Sequence, residues 1–266
     1  MIISMKSPEI PMTIEEFELA EFPFGWKDEY CDGKAHLTPR SYGILMKMPV
    51  KNKKINNTVE ISLLTETTVE NLIELFFAAF YDSVEFCDYS QEDVKRAAAK
   101  NIKKFFDGKR GIPQLDLCRI ALSSNKNKLI GACLISKYKF GFKNEILFVH
   151  PNHQRSGIGT ALVSIVLNEL MKISEKLFWS EYHICNEQSR NWHEKLGFAE
   201  VPDIMTLRLR RNYLKNQIWR NEQLGDFDKI EKLKPLLMKS EKILKILEKI
   251  EKKDFGEAWL QWKYEF

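Results

Sequence analysis

The sequence predicts an α/β (α+β) fold with a central sheet flanked by helices, an N-terminal β-hairpin segment and a C-terminal helical tail. From Thr58 onward, short apolar runs of strand length alternate with helical patterns that begin at Ser or Thr caps. Ahead of them, an Asp-Gly pair at 32–33 lies between two short extended runs, which indicates a hairpin. Near the end, Leu233–Lys253 places apolar residues close to heptad spacing among lysines and glutamates, which predicts an amphipathic helix.

These patterns divide the chain into three predicted regions. Residues 1–57 form an N-terminal extension, residues 58–211 a central α/β domain, and residues 212–266 a C-terminal helical and aromatic extension. In the first region, a short helix over Thr13–Leu19 precedes the hairpin, and Ser41–Val50 is predicted as a third strand.

The elements of the central region follow in order. A helix is predicted to start at the capping-box sequence Thr67–Glu70, ahead of the apolar run Leu72–Phe80. Further helices are predicted from Ser90 to near Gly108, over Gly159–Ile173 and over Glu187–Leu196. Strands are predicted over Val59–Leu64, Leu115–Leu122, Leu129–Tyr138, Glu145–Val149 and Leu177–Cys185, with a terminal strand pair over Phe198–Leu209.

Composition limits the function classes. The 266 residues are 44% hydrophobic and 29% charged, as in soluble globular proteins. A net charge of +4 is too small to argue for nucleic acid binding. No signal peptide and no apolar run of roughly 18 residues is present, so we expect no membrane association and a cytoplasmic location. Five widely spaced cysteines without a CxxC pair, and histidines without HxxxH spacing, predict neither disulfides nor a metal site.

The segment with the clearest chemical signal is Glu145–Thr160. An apolar strand is followed by a short polar loop, and Gly157 and Gly159 then open a helix. Glycine lets the backbone approach a bulky anion, and the free N–H groups of a first helical turn bind diphosphate. Arg155 adds positive charge at this place. The alternative is a turn whose glycines serve only close strand–helix packing; the Rossmann and P-loop patterns are not met.

Two motifs carry a specific resemblance. Gln154-Arg-Ser-Gly-Ile-Gly159 is similar to the Gln/Arg-x-x-Gly-x-Gly/Ala motif of the GNAT superfamily of N-acetyltransferases. The segment Asn186–Phe198, which ends in Lys-Leu-Gly-Phe, resembles the second signature of that family. The resemblance covers roughly Thr58–Arg211 and includes neither end of the chain.

The resemblance implies a GNAT fold, in which a mixed, mostly antiparallel sheet has splayed strands. It also implies acetyl-CoA as co-substrate, without a metal, and direct acetyl transfer to a primary amine in a ternary complex. The cofactor-binding residues that it implies are Phe148, Val149, Gln154, Arg155, Ser156, Gly157, Ile158, Gly159, Thr160, Asn186 and Ser189.

The same resemblance suggests the catalytic residues. His193 stands where the family more often has a tyrosine that protonates the departing thiolate, and an imidazole can supply that proton. Glu145 is the first candidate for the general base and Glu181 the second. For each of the three, an ordinary hydrogen-bonding or ion-pairing role is the alternative.

The sequence identifies neither the acceptor substrate nor the oligomeric state. The acceptor is expected to be an amine on a small molecule or peptide, and a catalytically weak acyl-CoA sensor is the alternative function. The helix over Leu233–Lys253 forms either a homodimer contact or a surface that packs on its own chain.

Overall fold

The structure is a computed structural model that describes residues 8–55, 59–123 and 128–254. The helices are α1 (Ile14–Leu19), α2 (Val69–Phe80), α3 (Gln91–Phe106), α4 (Ile158–Lys172), α5 (Glu187–Leu196), α6 (Ile204–Leu224) and α7 (Phe227–Asp254). The strands are β1 (Glu9–Pro11), β2 (Trp26–Cys31), β3 (Lys34–Pro39), β4 (Gly43–Pro49), β5 (Glu60–Leu63), β6 (Ile112–Pro113), β7 (Arg119–Leu122), β8 (Leu129–Tyr138), β9 (Gly141–Val149), β10 (Leu177–His183) and β11 (Ala199–Glu200).

The main sheet is mixed and mostly antiparallel. Its strand order is β11-β4-β10-β9-β8-β7-β5, and β6 pairs separately with β8. The β9–β10 pair is parallel, whereas β4–β11, β5–β7, β7–β8 and β8–β9 are antiparallel. Helices accompany this sheet, so the predicted fold class is confirmed.

The parallel strands β9 and β10 separate after a short contact. They pair only at Phe142–Phe178 and Lys143–Trp179. Beyond these pairs both strands continue, β9 to Val149 and β10 to His183. The β10-facing edge of the second half of β9 therefore has no ladder partner within the paired strands, as expected for the predicted splay.

Strand β4 joins the main sheet rather than the N-terminal hairpin. Its Ile44, Met46 and Met48 are buried and alternate with more exposed residues, which is the pattern of a strand with one covered face. The Val50 amide donates to the Lys176 carbonyl at the start of β10. The Ile184 amide after β10 donates to the Tyr42 carbonyl, so the two strands are antiparallel.

The predicted strand pair over Phe198–Leu209 is wrong. In this stretch only the two residues of β11 form a strand, and α6 begins at Ile204. Asp203 caps this helix, because its carboxylate accepts hydrogen bonds from the amide of Thr206 at 3.0 Å and from its hydroxyl at 2.5 Å. Tyr42 adds a third hydrogen bond to the same carboxylate at 2.6 Å.

The chain divides into two compact units. The first comprises Leu45–Tyr182 and Asn186–Glu200, and it contains every site residue predicted from the sequence. Its helix α4 packs on β7, β8 and β9 through buried Ile158, Leu162 and Val166. Helix α2 packs on β8 and β9 through Leu72 and Phe76.

The second unit comprises residues 8–44, His183–Cys185 and the chain from residue 201 onward. It holds the three-stranded sheet β1-β3-β2, whose core is formed by Phe22, Ala35 and Leu37. Helices α6 and α7 form an antiparallel pair, because Arg208 bonds Glu248 at 2.8 Å and Lys215 pairs with Glu241 at 3.1 Å. The predicted amphipathic helix thus packs on α6 of its own chain, while the homodimer stays a prediction.

Candidate functional site

The loop between β9 and α4 is exposed and conformationally specialised. Gln154 Nε2 donates to the Val149 carbonyl at 3.1 Å, which folds the loop back on the end of β9. Arg155 has φ 61° and Gly157 has φ 85°, so both lie in the left-handed region. Gly157 is the N-cap of α4, and glycine is the residue that takes this conformation without strain. Residues 154–157 are exposed.

The electrostatics of this loop suit an anion. The first turn of α4 carries no acidic residue, and its amide N–H groups have no partner within the helix. The positive end of the helix dipole adds to the charge of Arg155. Ile158 is buried and anchors the turn, which leaves the loop before it open to solvent.

Gly159 separates the two sequence interpretations of the loop. A methyl group at its Cβ position would lie 3.6 Å from the Leu147 side chain and 3.8 Å from that of Val149. These are ordinary van der Waals distances, so packing of α4 on β9 does not require glycine here. Close packing alone therefore does not explain the glycine.

The residues present fit the diphosphate and the amide-bearing arm of coenzyme A. The loop offers exposed amides and a cation for the diphosphate. The unpaired edge of β9 that includes Phe148 and Val149 offers backbone groups to an extended chain with amides. Thr160, in the first turn of α4, accepts a hydrogen bond from Trp192 Nε1 at 3.0 Å, which links α4 to α5.

Asn186 and Ser189 are brought together at the start of α5. Asn186 caps the helix, because its Oδ1 accepts from the Ser189 amide at 2.8 Å. Its Nδ2 donates to Oε1 of Glu85 at 2.8 Å. Both ends of the Asn186 amide therefore make hydrogen bonds within the fold, and the second ties α5 to the turn between α2 and α3.

His193 lies inside the fold, with 3% of its surface exposed. Its Nδ1 is 2.7 Å from the Ser189 carbonyl, and since a carbonyl only accepts, Nδ1 is the donor. Its Nε2 then accepts from the Ser180 hydroxyl at 2.8 Å. The chain of hydrogen bonds continues from Asn144 Nδ2 to Ser180 at 3.3 Å and from Cys133 to Asn144.

This environment favours the neutral imidazole. Burial lowers the pKa of His193 to about 4, partly offset by the bond to the Ser189 backbone. At pH 7 roughly one molecule in a thousand then carries the imidazolium. The structure thus does not favour the acid role predicted for His193.

The two candidate bases differ in their surroundings. Glu145 is the extra residue of a β-bulge in β9, since Leu134 lies opposite Ile146 and Ile135 opposite Asn144. Its side chain is 5% exposed, and its oxygens are contacted by Arg110 and Lys143, each at 3.2 Å, and by the Tyr138 hydroxyl at 2.7 Å.

Glu181 lies on β10 just beyond the last β9–β10 pair. Its side chain is 45% exposed and is 3.1 Å from Lys143 Nζ. The pKa of Lys143 is raised, because the carboxylates of Glu181 and Glu145 more than offset the lowering by burial. The ammonium of Lys143 therefore stays charged between the two carboxylates.

Several residues of this site carried no signal in the sequence. Ser180 and Asn144 look like ordinary strand residues, and Glu85 lies in a short turn between two helices. Only the pairing of distant elements brings them to His193 and Asn186. An asparagine at a buried position of an alternating strand, where apolar residues are otherwise found, is the one sequence pattern here that indicates a buried hydrogen-bond network.

Two general features of the described part of the chain bear on its chemistry. Within residues 8–55, 59–123 and 128–254, no three His, Cys, Asp or Glu side chains are grouped so that they could hold a metal ion. Over the same ranges, no helix combines the length and the apolar character needed to cross a membrane.

The chain resembles known proteins over part of its length. The curated [ribosomal protein bS18]-alanine N-acetyltransferase of Escherichia coli strain K12 is 35% identical over 65 residues, which are 24% of this chain. The match spans 40% of the length of that relative. The solved structure of the ribosomal-protein-S18-alanine N-acetyltransferase from Escherichia coli is 21% identical, with a TM-score of 0.40 over 55% of this chain and 80% of that one.

A second solved structure is the PaiA N-acetyltransferase from Thermoplasma acidophilum in complex with coenzyme A. It is 20% identical, with a TM-score of 0.41 over 54% of this chain and 91% of that one. The family model described as the acetyltransferase (GNAT) family matches residues 71–198, which include both the β9–α4 loop and the segment Asn186–Phe198. The chain therefore contains, over residues 71–198, a domain of the acetyltransferase (GNAT) family.

Proposed function

We propose that this protein transfers the acetyl group of acetyl-CoA to a primary amine by direct transfer in a ternary complex. The observation that carries the proposal is the exposed, Gly157-capped start of α4 directly after a strand whose edge is unpaired. One part of this arrangement suits a diphosphate and the other an extended amide chain. The strand edge and the loop follow each other in the chain, just as the amide chain and the diphosphate follow each other in coenzyme A.

The proposed contacts follow from this geometry. The loop and first helical turn, residues 154–160, hold the diphosphate through amides and Arg155. The backbone of Phe148 and Val149 holds the arm, and the start of α5 at Asn186 and Ser189 lies at its reacting end. Acetyl-CoA, when bound, supplies an acetyl group activated as a thioester.

Glu181 is the better candidate for the general base. An attacking amine must be neutral, so a carboxylate has to remove a proton from its ammonium form. The oxygens of Glu145 are already engaged by a guanidinium, an ammonium and a phenol. Glu181 is far more exposed and lies where β10 diverges from β9. We therefore assign the proton transfer to Glu181 and a structural role to Glu145.

His193 acts in this proposal as a positioning residue. Its neutral ring joins α5 to β10 through Ser189 and Ser180. In this way it fixes the start of α5 beside the splayed strands. The departing thiolate takes its proton from solvent, since a thiol of pKa about 8.5 is a fair leaving group near neutral pH.

The acceptor class rests on the proposed function alone. The Escherichia coli relative is named for an alanine of a ribosomal protein, so an unblocked peptide is one acceptor to test. A small-molecule amine is the other. The low net charge of +4 gives no electrostatic preference between them.

A catalytically weak acyl-CoA sensor is the second candidate function. The observation in its favour is the buried, neutral His193 at the position where the family more often has a proton-donating tyrosine. The two functions differ in one measurement. Binding of acetyl-CoA without turnover on an amine panel would support the sensor and overturn the enzyme.

The cofactor half of the proposal is tested by Gly157→Val. A branched side chain at φ 85° would occupy the space of the diphosphate, so we expect loss of acetyl-CoA binding in isothermal titration calorimetry. Gly33→Val is the matched control, because Gly33 has φ 73° and no atom within 4 Å of its Cβ position. It brings the same backbone strain in the hairpin between β2 and β3. Unchanged acetyl-CoA affinity in Gly157→Val would overturn the assignment of the loop.

A further inference from the structure

The turn between α2 and α3 holds polar atoms that lack partners. Ser83 precedes a short 3-10 turn, Val84–Phe86, and its side chain makes no capping hydrogen bond. Among the described residues, both Ser83 Oγ and Glu85 Oε2 are buried without a hydrogen-bond partner. The other oxygen of Glu85, Oε1, accepts from Asn186 Nδ2 at 2.8 Å.

An unpartnered carboxylate oxygen away from water is costly. A buried acceptor normally has a donor, and an exception calls for an explanation, of which a functional role is one. Among the residues that the structure describes, none forms an ion pair with Glu85, so the hydrogen bond from Asn186 leaves its negative charge uncompensated. The missing partner is therefore a donor with positive charge, and an ammonium group meets both conditions.

The location of the turn connects it with the candidate site. Through Asn186, Glu85 is joined to the start of α5, which follows β10. The neighbouring residue Phe86 contacts Phe76 and Phe80, with ring centroids 6.2 and 6.1 Å apart. Both of those rings contact Phe148 on β9, at 5.6 and 6.5 Å.

The turn is thus connected to both of the strands that diverge, β9 and β10. One connection runs to the end of β10 and the other to the end of β9. These are the ends at which the two strands have separated. Glu85 therefore lies at the open end of the splay, and not at the paired end near Lys143 and Trp179.

We propose that Glu85 is the counter-ion of the acceptor's ammonium group and that the Ser83–Phe86 turn is part of the acceptor site. This inference rests on the proposed function, because it assigns a substrate contact within it. Glu85 binds and orients the ammonium before Glu181 takes its proton. The neutral amine then bonds to the acetyl carbon and the thioester C–S bond breaks. The nitrogen releases its second proton to water and the sulfur takes a proton from water, so that an amide and free CoA result. The acceptor is accordingly cationic, and its apolar part meets Phe80 and Phe86.

The test measures amine binding apart from turnover. An alanyl tripeptide with a free amino terminus and spermidine are titrated calorimetrically into the full chain saturated with CoA. We expect Glu85→Gln to weaken the binding of at least one of these amines tenfold or more. The Kd of acetyl-CoA should stay within twofold. Glutamine keeps an oxygen for Asn186 and replaces the other carboxylate oxygen by an uncharged NH2 group, and Glu85→Asp should restore part of the affinity.

Controls separate this inference from a structural role. Glu92→Gln is the matched control, because Glu92 is a carboxylate of α3 whose side chain is 76% exposed. Removing the charge of Glu92 should change neither the amine affinity nor the acetyl-CoA affinity. The N-acetylated tripeptide has no ammonium at its amino end and should bind wild type and Glu85→Gln equally weakly.

Two results would overturn the inference. One is equal amine affinity in wild type and Glu85→Gln, and the other is wild-type protein that binds neither amine. The titration is repeated without CoA. A failure of acetyl-CoA to bind would then count against the proposed function, while amine binding would still report on Glu85.

Discussion

At the scale of single residues, burial decides which groups carry charge at neutral pH. His193 is neutral because both of its nitrogens are engaged by the fold and water is excluded. Burial also raises the pKa of the Cys118 thiol to about 12 and holds the pKa of the Cys133 thiol well above its ordinary value, so both stay protonated. By contrast, Lys143 keeps its charge between two carboxylates.

The neutral His193 makes stability depend on pH. Its pKa is about 4 in the folded state against 6.5 for the free side chain, so the unfolded chain binds the extra proton between these values. The stabilisation is complete above pH 6.5 and is lost as the pH falls toward 4. The loss amounts to about 3 kcal/mol in the free energy of unfolding.

Urea unfolding of wild type and His193→Gln at several pH values measures this contribution. Glutamine cannot titrate, so the difference between the two curves should vary with pH only between 6.5 and 4. A constant difference across that window would show that His193 is already charged in the folded protein.

The assignment of the base is also a matter of single residues. Glu181→Gln should lower kcat at least tenfold and leave protein stability nearly unchanged, because its side chain is 45% exposed. Glu145→Gln should instead lower stability, since Arg110 and Lys143 would lose a buried anion. Steady-state kinetics and thermal unfolding of both variants check this, and the reverse pattern would assign the base to Glu145.

At the scale of elements, the N-terminal strand β4 is an integral strand of the sheet that carries the candidate site. It lies between β10 and β11, and its Met46 is fully buried. Although 1–57 is outside the segment matched by the family model, this strand supplies the neighbour of β10. Changes in β4 should therefore affect the whole first unit.

A pair of substitutions in β4 tests this role. Met46→Ala should lower the free energy of unfolding by about 2–5 kcal/mol, because it leaves a cavity in the core. Lys47→Ala, at the exposed neighbouring position, should cost less than about 1 kcal/mol. Chemical denaturation monitored by tryptophan fluorescence compares the two. Equal small effects would mean that β4 is a dispensable appendage.

Local signals explain which elements were predictable. Thr68, Ser90 and Asn186 each cap a helix that the sequence predicts, because a cap and its helix lie within a few residues. The Gly157 turn is predictable for the same reason. The sheet position of β4, the burial of His193 and the Glu85–Asn186 bond depend on residues far apart in the chain. No local pattern encodes them.

The predicted strands over Phe198–Leu209 are wrong even though the deciding signals are local. Alternating apolar residues in this stretch are compatible with a strand, but Asp203 forms a strong cap and α6 continues for 21 residues. A cap followed by a long segment of good helix formers outweighs a short alternation.

At the scale of the whole molecule, the reaction is expected to proceed without an acyl-enzyme. The buried thiols Cys118 and Cys133 are protonated and inaccessible, so neither is a nucleophile. The proposed direct transfer requires acetyl-CoA and the amine to be bound together. Initial velocities at varied concentrations of both substrates should give intersecting double-reciprocal lines. Parallel lines with a burst of free CoA would indicate a covalent intermediate instead.

The position of β4 also has a consequence for how the chain acquires its fold. During synthesis β4 emerges early, but its partners β10 and β11 emerge only after α4 has been made. Until then, an apolar strand with Ile44, Met46 and Met48 has open edges on both sides. Such distant pairing slows folding and exposes the nascent chain to aggregation. The protein should therefore depend on chaperones at the ribosome more than a domain in which neighbouring strands of the sheet follow one another in the chain.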